Sequence, residues 1–192
     1  MHLAIVSHFK PEFTEETVQF CEYFQKQLRL PNSNTHFYNA NSFDEGISIQ
    51  NFLKGIAKIN EPLVIYYGGH GYRKGWHLHD NYKIPYSVIV DALKSHKKPI
   101  IFVNDCCFGM ALQDYFGVLK CLYLLLGLSP KTLEGFGSVM VDKIVHCWRH
   151  SKPADPKLWV YGRQSLSKFV LEKCASRLRC GENLDYICYP KK

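Results

Sequence analysis

Two short stretches of the sequence contain residue types that can do nucleophilic chemistry. Residues 68–71 read Gly-Gly-His-Gly and supply the imidazole of His70, and residues 104–109 read Asn-Asp-Cys-Cys-Phe-Gly and supply the thiols of Cys106 and Cys107. A thiolate is a strong nucleophile, and an imidazole can take the thiol proton and later protonate a leaving amine. His70 and Cys107 are therefore a candidate Cys–His dyad for acyl transfer.

Each stretch follows a run of apolar residues that predicts a buried strand. The runs are Leu63 to Tyr67 and Pro99 to Val103, and His70 and Cys107 are 37 residues apart. That separation leaves room for a hairpin, a helix and a return strand, so we expect two parallel, neighbouring strands. Because the carboxyl ends of parallel strands lie at one edge of a sheet, the imidazole and the thiol would meet there.

The rest of the chain alternates short apolar runs with helical patterns, which predicts an α/β fold with a mostly parallel sheet and helices on both faces. Thr14 is expected to cap a first helix whose buried face includes Val18 and Cys21, and Lys74-Gly75 to form the turn of a hairpin. Further strands are predicted at 3–7, 36–39, 121–126 and 158–161, and further helices around Ile49–Ile56, from Pro85, at Met110–Tyr115, from Ser138 and around Leu166–Cys174.

Three neighbours of the dyad have candidate roles of their own. Cys106 is the rival nucleophile, but successive side chains diverge, so we expect it to point into the core. Gly71 permits close approach of the backbone, and its N–H together with that of Cys107 could stabilise an oxyanion. Asp105 could cap the helix that follows Cys107, an alternative that the sequence leaves open.

The two stretches, in this order and each after a strand, resemble the caspase-like cysteine peptidases, and the metacaspases in particular. The resemblance covers most of residues 1–178. It implies a caspase-like three-layer sandwich with His70 as the base, Cys107 as the nucleophile and Asp105 as the acid that holds a basic P1 side chain. The sequence departs from the metacaspase pattern at Phe108-Gly109, where that family has His-Ser-Gly.

Other polar residues leave further interpretations open. His8 and Lys10 follow the first strand and would favour an acidic P1 residue if they faced the same pocket. His77 and His79 have a spacing that metal ligands use, which would suit a zinc-dependent hydrolase, although alternating exposed residues of a hairpin show the same spacing. The expectation here is an exposed hairpin and no metal.

The composition is that of an ordinary globular domain, with 192 residues, 46% of them apolar and 21% charged, so we expect one domain over residues 1–192. The net charge of +7 is scattered and accompanies no known binding module, so we expect no nucleic-acid partner. No apolar run is long enough to cross a bilayer, and the start of the sequence does not resemble a signal peptide. The eight cysteines form no CxxC pair, which argues against a zinc ribbon or a thioredoxin motif. Because no secretory signal is predicted, we expect reduced thiols and a cytoplasmic location.

The function that these features predict is a cysteine endopeptidase acting on protein or peptide substrates, without a cofactor, as a monomer or a homodimer. The alternative is a catalytically inactive caspase-like module that binds or regulates a partner. The sequence leaves both open, because the geometry of the pocket decides between them.

Overall fold

The computed structural model describes residues 1–28, 30–40, 46–98, 100–121, 123–127 and 159–162. All the strands predicted from the sequence fall at least partly within these residues. The helices predicted from Ser138 and around Leu166–Cys174 lie outside them.

Among the described residues, nine strands form two sheets. They are β1 (His2–Ser7), β2 (Thr35–Asn39), β3 (Leu63–Gly68), β4 (His70–Tyr72), β5 (Gly75–His79), β6 (Tyr82–Pro85), β7 (Ile100–Asp105), β8 (Tyr123–Gly127) and β9 (Trp159–Gly162). The larger sheet has the order β2-β1-β3-β7-β8-β9, and the smaller one has the order β4-β5-β6. In the larger sheet β1, β2, β3, β7 and β8 are parallel, and β9 runs antiparallel to β8. The predicted α/β class with a mostly parallel sheet is confirmed.

The central strands β3 and β7 are buried along their whole length. A strand covered on both faces needs a continuous apolar run, because both alternating sets of side chains face hydrocarbon. The runs Leu63–Tyr67 and Ile100–Val103 meet that need. The polar pair Asn104 and Asp105 at the end of β7 is buried as well, and so needs partners inside the protein.

The first helix, α1 (Pro11–Leu28), begins three residues before the predicted cap at Thr14. Pro11 takes the first position, where a missing N–H costs nothing and the fixed φ suits the helix. The Thr14 hydroxyl donates back to the carbonyl oxygen of Lys10 at 3.5 Å instead of capping. The predicted start of this helix is therefore wrong.

The buried side of α1 also differs from the prediction. Thr17 and Cys21, four residues apart, are buried, whereas Val18 is 39% exposed. Residues at i and i+4 share a helix face, so the stripe that contacts the sheet passes through Thr17 and leaves Val18 at its border. The assignment of Val18 to the core is wrong, because helical periodicity fixes the spacing of a stripe but not its orientation.

The helices contact opposite sets of strand side chains. A Cβ atom at Gly68 would lie close to the hydroxyls of both Tyr66 and Thr17, so α1 covers the face that carries Tyr66. The next residue, Tyr67, belongs to the core that includes α2 (Ile47–Ala57) and α3 (Tyr86–Leu93). Within the described ranges, no helix combines the length and the apolar character needed to cross a membrane.

The smaller sheet contains the predicted hairpin and a second one, but the turn of the first is Arg73-Lys74 and not the predicted Lys74-Gly75, because Gly75 pairs with Tyr72 across the hairpin. Strands β4 and β5 are antiparallel and pair His70 with His77, and β5 pairs with β6. The register shifts between His77 and His79, and His79 is only 4% exposed. The expectation that both histidines lie exposed on the hairpin is therefore wrong for His79, because the irregular register turns its side chain inward.

Candidate active site

The ends of β3 and β7 lie side by side. The strands are parallel, and their register pairs Tyr67 with Asn104 and Gly68 with Asp105. Just beyond, the N–H of Gly69 donates to the carbonyl oxygen of Asp105 at 3.2 Å. The prediction of neighbouring parallel strands is confirmed, and both sequence stretches leave the sheet at the same edge.

The backbone of Gly71 packs against the turn that contains Cys107. A Cβ atom at Gly71 would lie 2.0 Å from the carbonyl oxygen of Cys107 and 2.9 Å from the Sγ atom of Cys106. Both separations are shorter than real Cβ atoms tolerate, so a larger residue would force the backbone apart. The sequence suggested that Gly71 admits a substrate; the close approach that the structure shows is to the cysteine turn.

The two adjacent thiols lie in different environments. Cys106 is 8% exposed, and its Sγ atom lies 3.6 Å from Asn104 Oδ1 and 3.8 Å from the Tyr86 hydroxyl. Burial raises the pKa of the Cys106 thiol well above its ordinary value, so this thiol stays protonated. Cys107 is partly exposed. The expectation that Cys106 points into the core is confirmed, and Cys107 is the more exposed residue of the pair.

A sharp turn separates Cys107 from the helix that follows. Phe108 has a left-handed backbone with φ at 57°, and no other non-glycine residue in the described ranges has a positive φ. Such a conformation costs roughly 1–2 kcal/mol for a residue with a side chain. Strained residues of this kind cluster at functional sites.

The residue after this turn opens a 3₁₀ helix, Gly109–Val118, in place of the α-helix predicted at Met110–Tyr115. The carbonyl oxygen of Phe108 accepts the first bond of this helix, from the N–H of Ala111 at 2.9 Å, and the carbonyl oxygen of Gly109 accepts a hydrogen bond from the Asn104 side chain at 2.7 Å. Cys107 thus precedes a helix start, as the sequence predicts, although the helix is of a tighter kind.

Asp105 is 7% exposed at the end of β7, and its Oδ2 accepts a hydrogen bond from the Tyr66 hydroxyl at 3.2 Å. The N-cap residue of the 3₁₀ helix is Phe108, whose side chain makes no capping hydrogen bond. The alternative in which Asp105 caps the helix stays a prediction. The carboxylate lies beside Tyr66, on the face of the sheet that α1 covers.

The loop after β1 lies against His70. The rings of His8 and His70 meet edge to face with centroids 5.1 Å apart, and the Phe13 ring packs on His70 at 4.9 Å. His8 is fully buried, and the Lys10 N–H donates to its Nδ1 at 3.2 Å. Burial, followed by the charges of His70 and His77, lowers the pKa of His8 to about 4. His8 is therefore neutral at pH 7.

Comparisons with known proteins show a similar fold and no family. No protein-family model matches the chain, and no curated protein matches it. The chain is similar to a solved structure, the crystal structure of Chaetomium thermophilum Raptor, with a TM-score of 0.50 and 16% identity. The match covers 90% of this chain and 18% of that chain, so this chain spans about a fifth of the Raptor chain. At this identity the likeness shows the fold alone.

The two histidines of β5 contact different neighbours. The His77 ring lies 6.1 Å from that of His8 and 6.3 Å from that of His70. His79 is buried, and its Nδ1 accepts the N–H of Asn81 at 3.2 Å. In the part of the chain that the structure describes, no three His, Cys, Asp or Glu side chains are grouped so that they could hold a metal ion. The zinc-dependent alternative therefore has no ligand set there.

Three residues that support the site were not predicted from the sequence. Tyr67 bonds to the backbone of the His70 strand, and Asn104 and Tyr86 bond to the turn after Cys107. Their common signal is a polar group inside an apolar run, since buried hydroxyls and amides need hydrogen-bond partners. The sequence shows that such partners must exist, but it does not show which residues they are.

Proposed function

We propose that this protein is a cysteine endopeptidase in which Cys107 is the nucleophile and His70 is the general base. The observation that carries the proposal is the contact between Gly71 and the Cys107 carbonyl oxygen, because it brings the His70 segment onto the Cys107 segment. His70 is exposed and Cys107 is partly exposed, so both are open to a substrate. The proposal includes a caspase-like three-layer arrangement of the sheet and helices.

The reaction follows from the ordinary chemistry of the two groups. His70 takes the proton of the Cys107 thiol, and the thiolate attacks the carbonyl carbon of the scissile peptide bond. The tetrahedral intermediate collapses when His70 gives the proton to the leaving amine, which leaves an acyl-enzyme on Cys107. Water, deprotonated by His70, then hydrolyses the thioester and restores both groups.

The oxyanion of the intermediate needs hydrogen-bond donors. The backbone N–H groups of Gly71 and Cys107 are our candidates, since the two residues lie in contact. Removing one donor of this kind typically costs about 3 kcal/mol of transition-state stabilisation.

Asp105 is our candidate for selecting the residue before the cut. Its carboxylate lies beside Tyr66 at the same sheet edge as the dyad. A buried carboxylate favours a cationic partner, so we propose Arg or Lys at P1. The competing preference for an acidic P1 relied on His8 and Lys10, and a neutral His8 supplies no positive charge at pH 7.

The test is a panel of fluorogenic peptides ending in Arg, Lys or Asp, incubated with the full chain. We expect turnover of the Arg and Lys peptides, loss of turnover in Cys107→Ala and in His70→Ala, and retention of turnover in Cys106→Ala. Turnover of the Asp peptide instead would remove Asp105 from its proposed role and keep the dyad.

The inactive alternative has its own signature in the same experiment. It predicts no turnover of any peptide and no preferential labelling of Cys107 by a peptidyl acyloxymethyl ketone. Turnover that survives Cys107→Ala but is lost on chelation would instead favour a metal-dependent hydrolase. Either result would overturn the proposed function.

A further inference from the structure

Asn104 is a buried amide three residues before Cys107, and each of its polar positions has a partner. It is 1% exposed. Its Oδ1 accepts the indole N–H of Trp76 at 2.6 Å and lies 3.6 Å from the Cys106 thiol. Its Nδ2 donates to the carbonyl oxygen of Gly109 at 2.7 Å and to the Tyr86 hydroxyl at 3.2 Å. Buried networks in which every member has its partners are rigid.

The same network holds the strained turn from both sides. Asn104 binds the carbonyl oxygen of Gly109, and the Tyr86 hydroxyl donates to the carbonyl oxygen of Phe108 at 3.3 Å. These are the two residues that follow Cys107, and Phe108 is the residue with the left-handed backbone. A left-handed residue with a side chain persists only when its surroundings hold it in place.

The network also reaches the strand that begins with His70. The Trp76 indole, which donates to Asn104, stacks on the Tyr67 ring with centroids 4.4 Å apart and an interplanar angle of 11°. The Tyr67 hydroxyl donates to the carbonyl oxygen of His70 at 2.7 Å. A continuous buried chain of contacts therefore runs from the backbone of His70, through Tyr67 and Trp76, to the turn of Cys107.

We propose that Asn104 is a positioning residue that sets the location of the Cys107 thiol relative to His70. The inference rests on the proposed function, and it concerns the geometry of the same dyad. Only an amide fits this role, because one side of the group must accept from Trp76 while the other donates to two oxygens. Aspartate keeps the shape but loses both donors, and alanine leaves all of the partners unsatisfied.

The main test compares Asn104→Asp with a chemically matched control, Asn39→Asp. Asn39 also ends a parallel strand of the same sheet. Its Oδ1 accepts a hydrogen bond from the Ser7 hydroxyl at 2.9 Å, and an aspartate at this position can accept the same bond. For Asn104→Asp we expect kcat on the Arg peptide to fall about a hundredfold, since a displacement of about 1 Å has that effect. KM should stay within about threefold, because no substrate contact is removed. Asn39→Asp should match the wild type in both.

A second readout does not need peptidase activity. The rate at which iodoacetamide alkylates Cys107 at pH 7, followed by peptide mass spectrometry, reports the reactivity of the thiol. We expect Asn104→Asp to slow it about tenfold or more, because the thiol loses its alignment with the base. If wild-type Cys107 reacts fast and depends on Asn104 but no peptide is cleaved, the proposed function fails and the positioning role stands.

The positioning role alone fails if the wild type cleaves peptides and a folded Asn104→Asp keeps both kcat and the alkylation rate. Should Asn104→Asp not fold, Tyr86→Phe and Trp76→Phe decide, since each deletes one donor of the network and keeps a ring. We expect each to lower kcat several-fold with little change in KM. Wild-type kcat in both variants would overturn the proposal.

Discussion

Tyr67 holds His70 through the backbone, since the Tyr67 hydroxyl donates to the carbonyl oxygen of His70 at 2.7 Å. The same hydroxyl lies 2.9 Å from the carbonyl oxygen of His77, the residue paired with His70 across the hairpin. Burial raises the pKa of Tyr67 well above its ordinary value, so the hydroxyl keeps its proton and remains a donor. One buried phenol on β3 thus fixes the smaller sheet on the larger one.

Replacing Tyr67 by phenylalanine should destabilise the protein. The change removes the single hydroxyl donor that the carbonyl oxygens of His70 and His77 share, so we expect the free energy of unfolding to fall by about 0.5–1.5 kcal/mol. Urea denaturation followed by circular dichroism measures it. Tyr38→Phe is the matched control, because the Tyr38 hydroxyl is buried without a partner among the described residues. An equal loss in both variants would contradict the role of the Tyr67 hydroxyl.

Adding a methyl group at Gly71 should disrupt the candidate site. The new Cβ would lie 2.0 Å from the Cys107 carbonyl oxygen, a backbone atom that cannot move independently. We expect Gly71→Ala to lower the free energy of unfolding by about 1–3 kcal/mol, the usual range for overpacking, and to abolish turnover of the Arg peptide.

Gly55→Ala is the control for this glycine. Gly55 lies inside α2, and a Cβ atom there would meet nothing within 4 Å. Alanine is favoured over glycine in a helix interior, so we expect this variant to gain about 1 kcal/mol of stability and to retain activity. If Gly71→Ala behaved like Gly55→Ala, the close approach of the two strand ends would be disproved.

Alkylation should distinguish the cysteines of the native protein. Burial raises the pKa of Cys106 well above its ordinary value and that of Cys21 to about 11, so neither supplies thiolate at pH 7. We expect iodoacetamide to modify Cys107 at least about tenfold faster than either, because the reactive species is an accessible thiolate. Peptide mass spectrometry at timed intervals measures the rates, and unfolding in urea should make all three alike. Faster modification of Cys106 would reverse the assignment of the nucleophile.

Acid should weaken the fold through His8. Its pKa falls from 6.5 to about 4 on folding, so between these values the unfolded chain binds the proton and the folded chain does not. The contribution of His8 to the free energy of unfolding is therefore fully present above about pH 6.5. It is lost as the pH falls toward 4, and the loss reaches up to about 3 kcal/mol. Burial also lowers the pKa values of His36 and His96, which adds to the loss of stability as the pH falls.

The His8→Gln variant isolates this contribution. Urea denaturation at pH 7 and at pH 5 should show a smaller loss of stability on acidification than in the wild type, because glutamine does not titrate. The residual loss then belongs to His36, His96 and other titrating groups. An unchanged difference between the two pH values would show that His8 takes up no proton on unfolding.

Much of the architecture could be predicted from local patterns. The apolar runs of β3 and β7 are long enough and apolar enough to require burial on both faces, and the spacing between them fits a parallel crossover. The hairpin after His70 follows from the alternation of its residues, although its turn lies one residue earlier than predicted. Each of these conclusions rests on neighbouring residues, whose preferences are the same in any fold.

Other features depended on which surfaces meet. Helical spacing alone did not place Val18 at the border of its helix face, and alternation alone did not show that a register shift buries His79. The contacts of Asn104 join residues that are 28 and 18 positions away, Trp76 and Tyr86. The sequence by itself determined that His70 and Cys107 each follow a buried strand, because apolar runs specify strands. The contact of Gly71 with the cysteine turn was decided by the tertiary structure alone, because it depends on how distant segments pack.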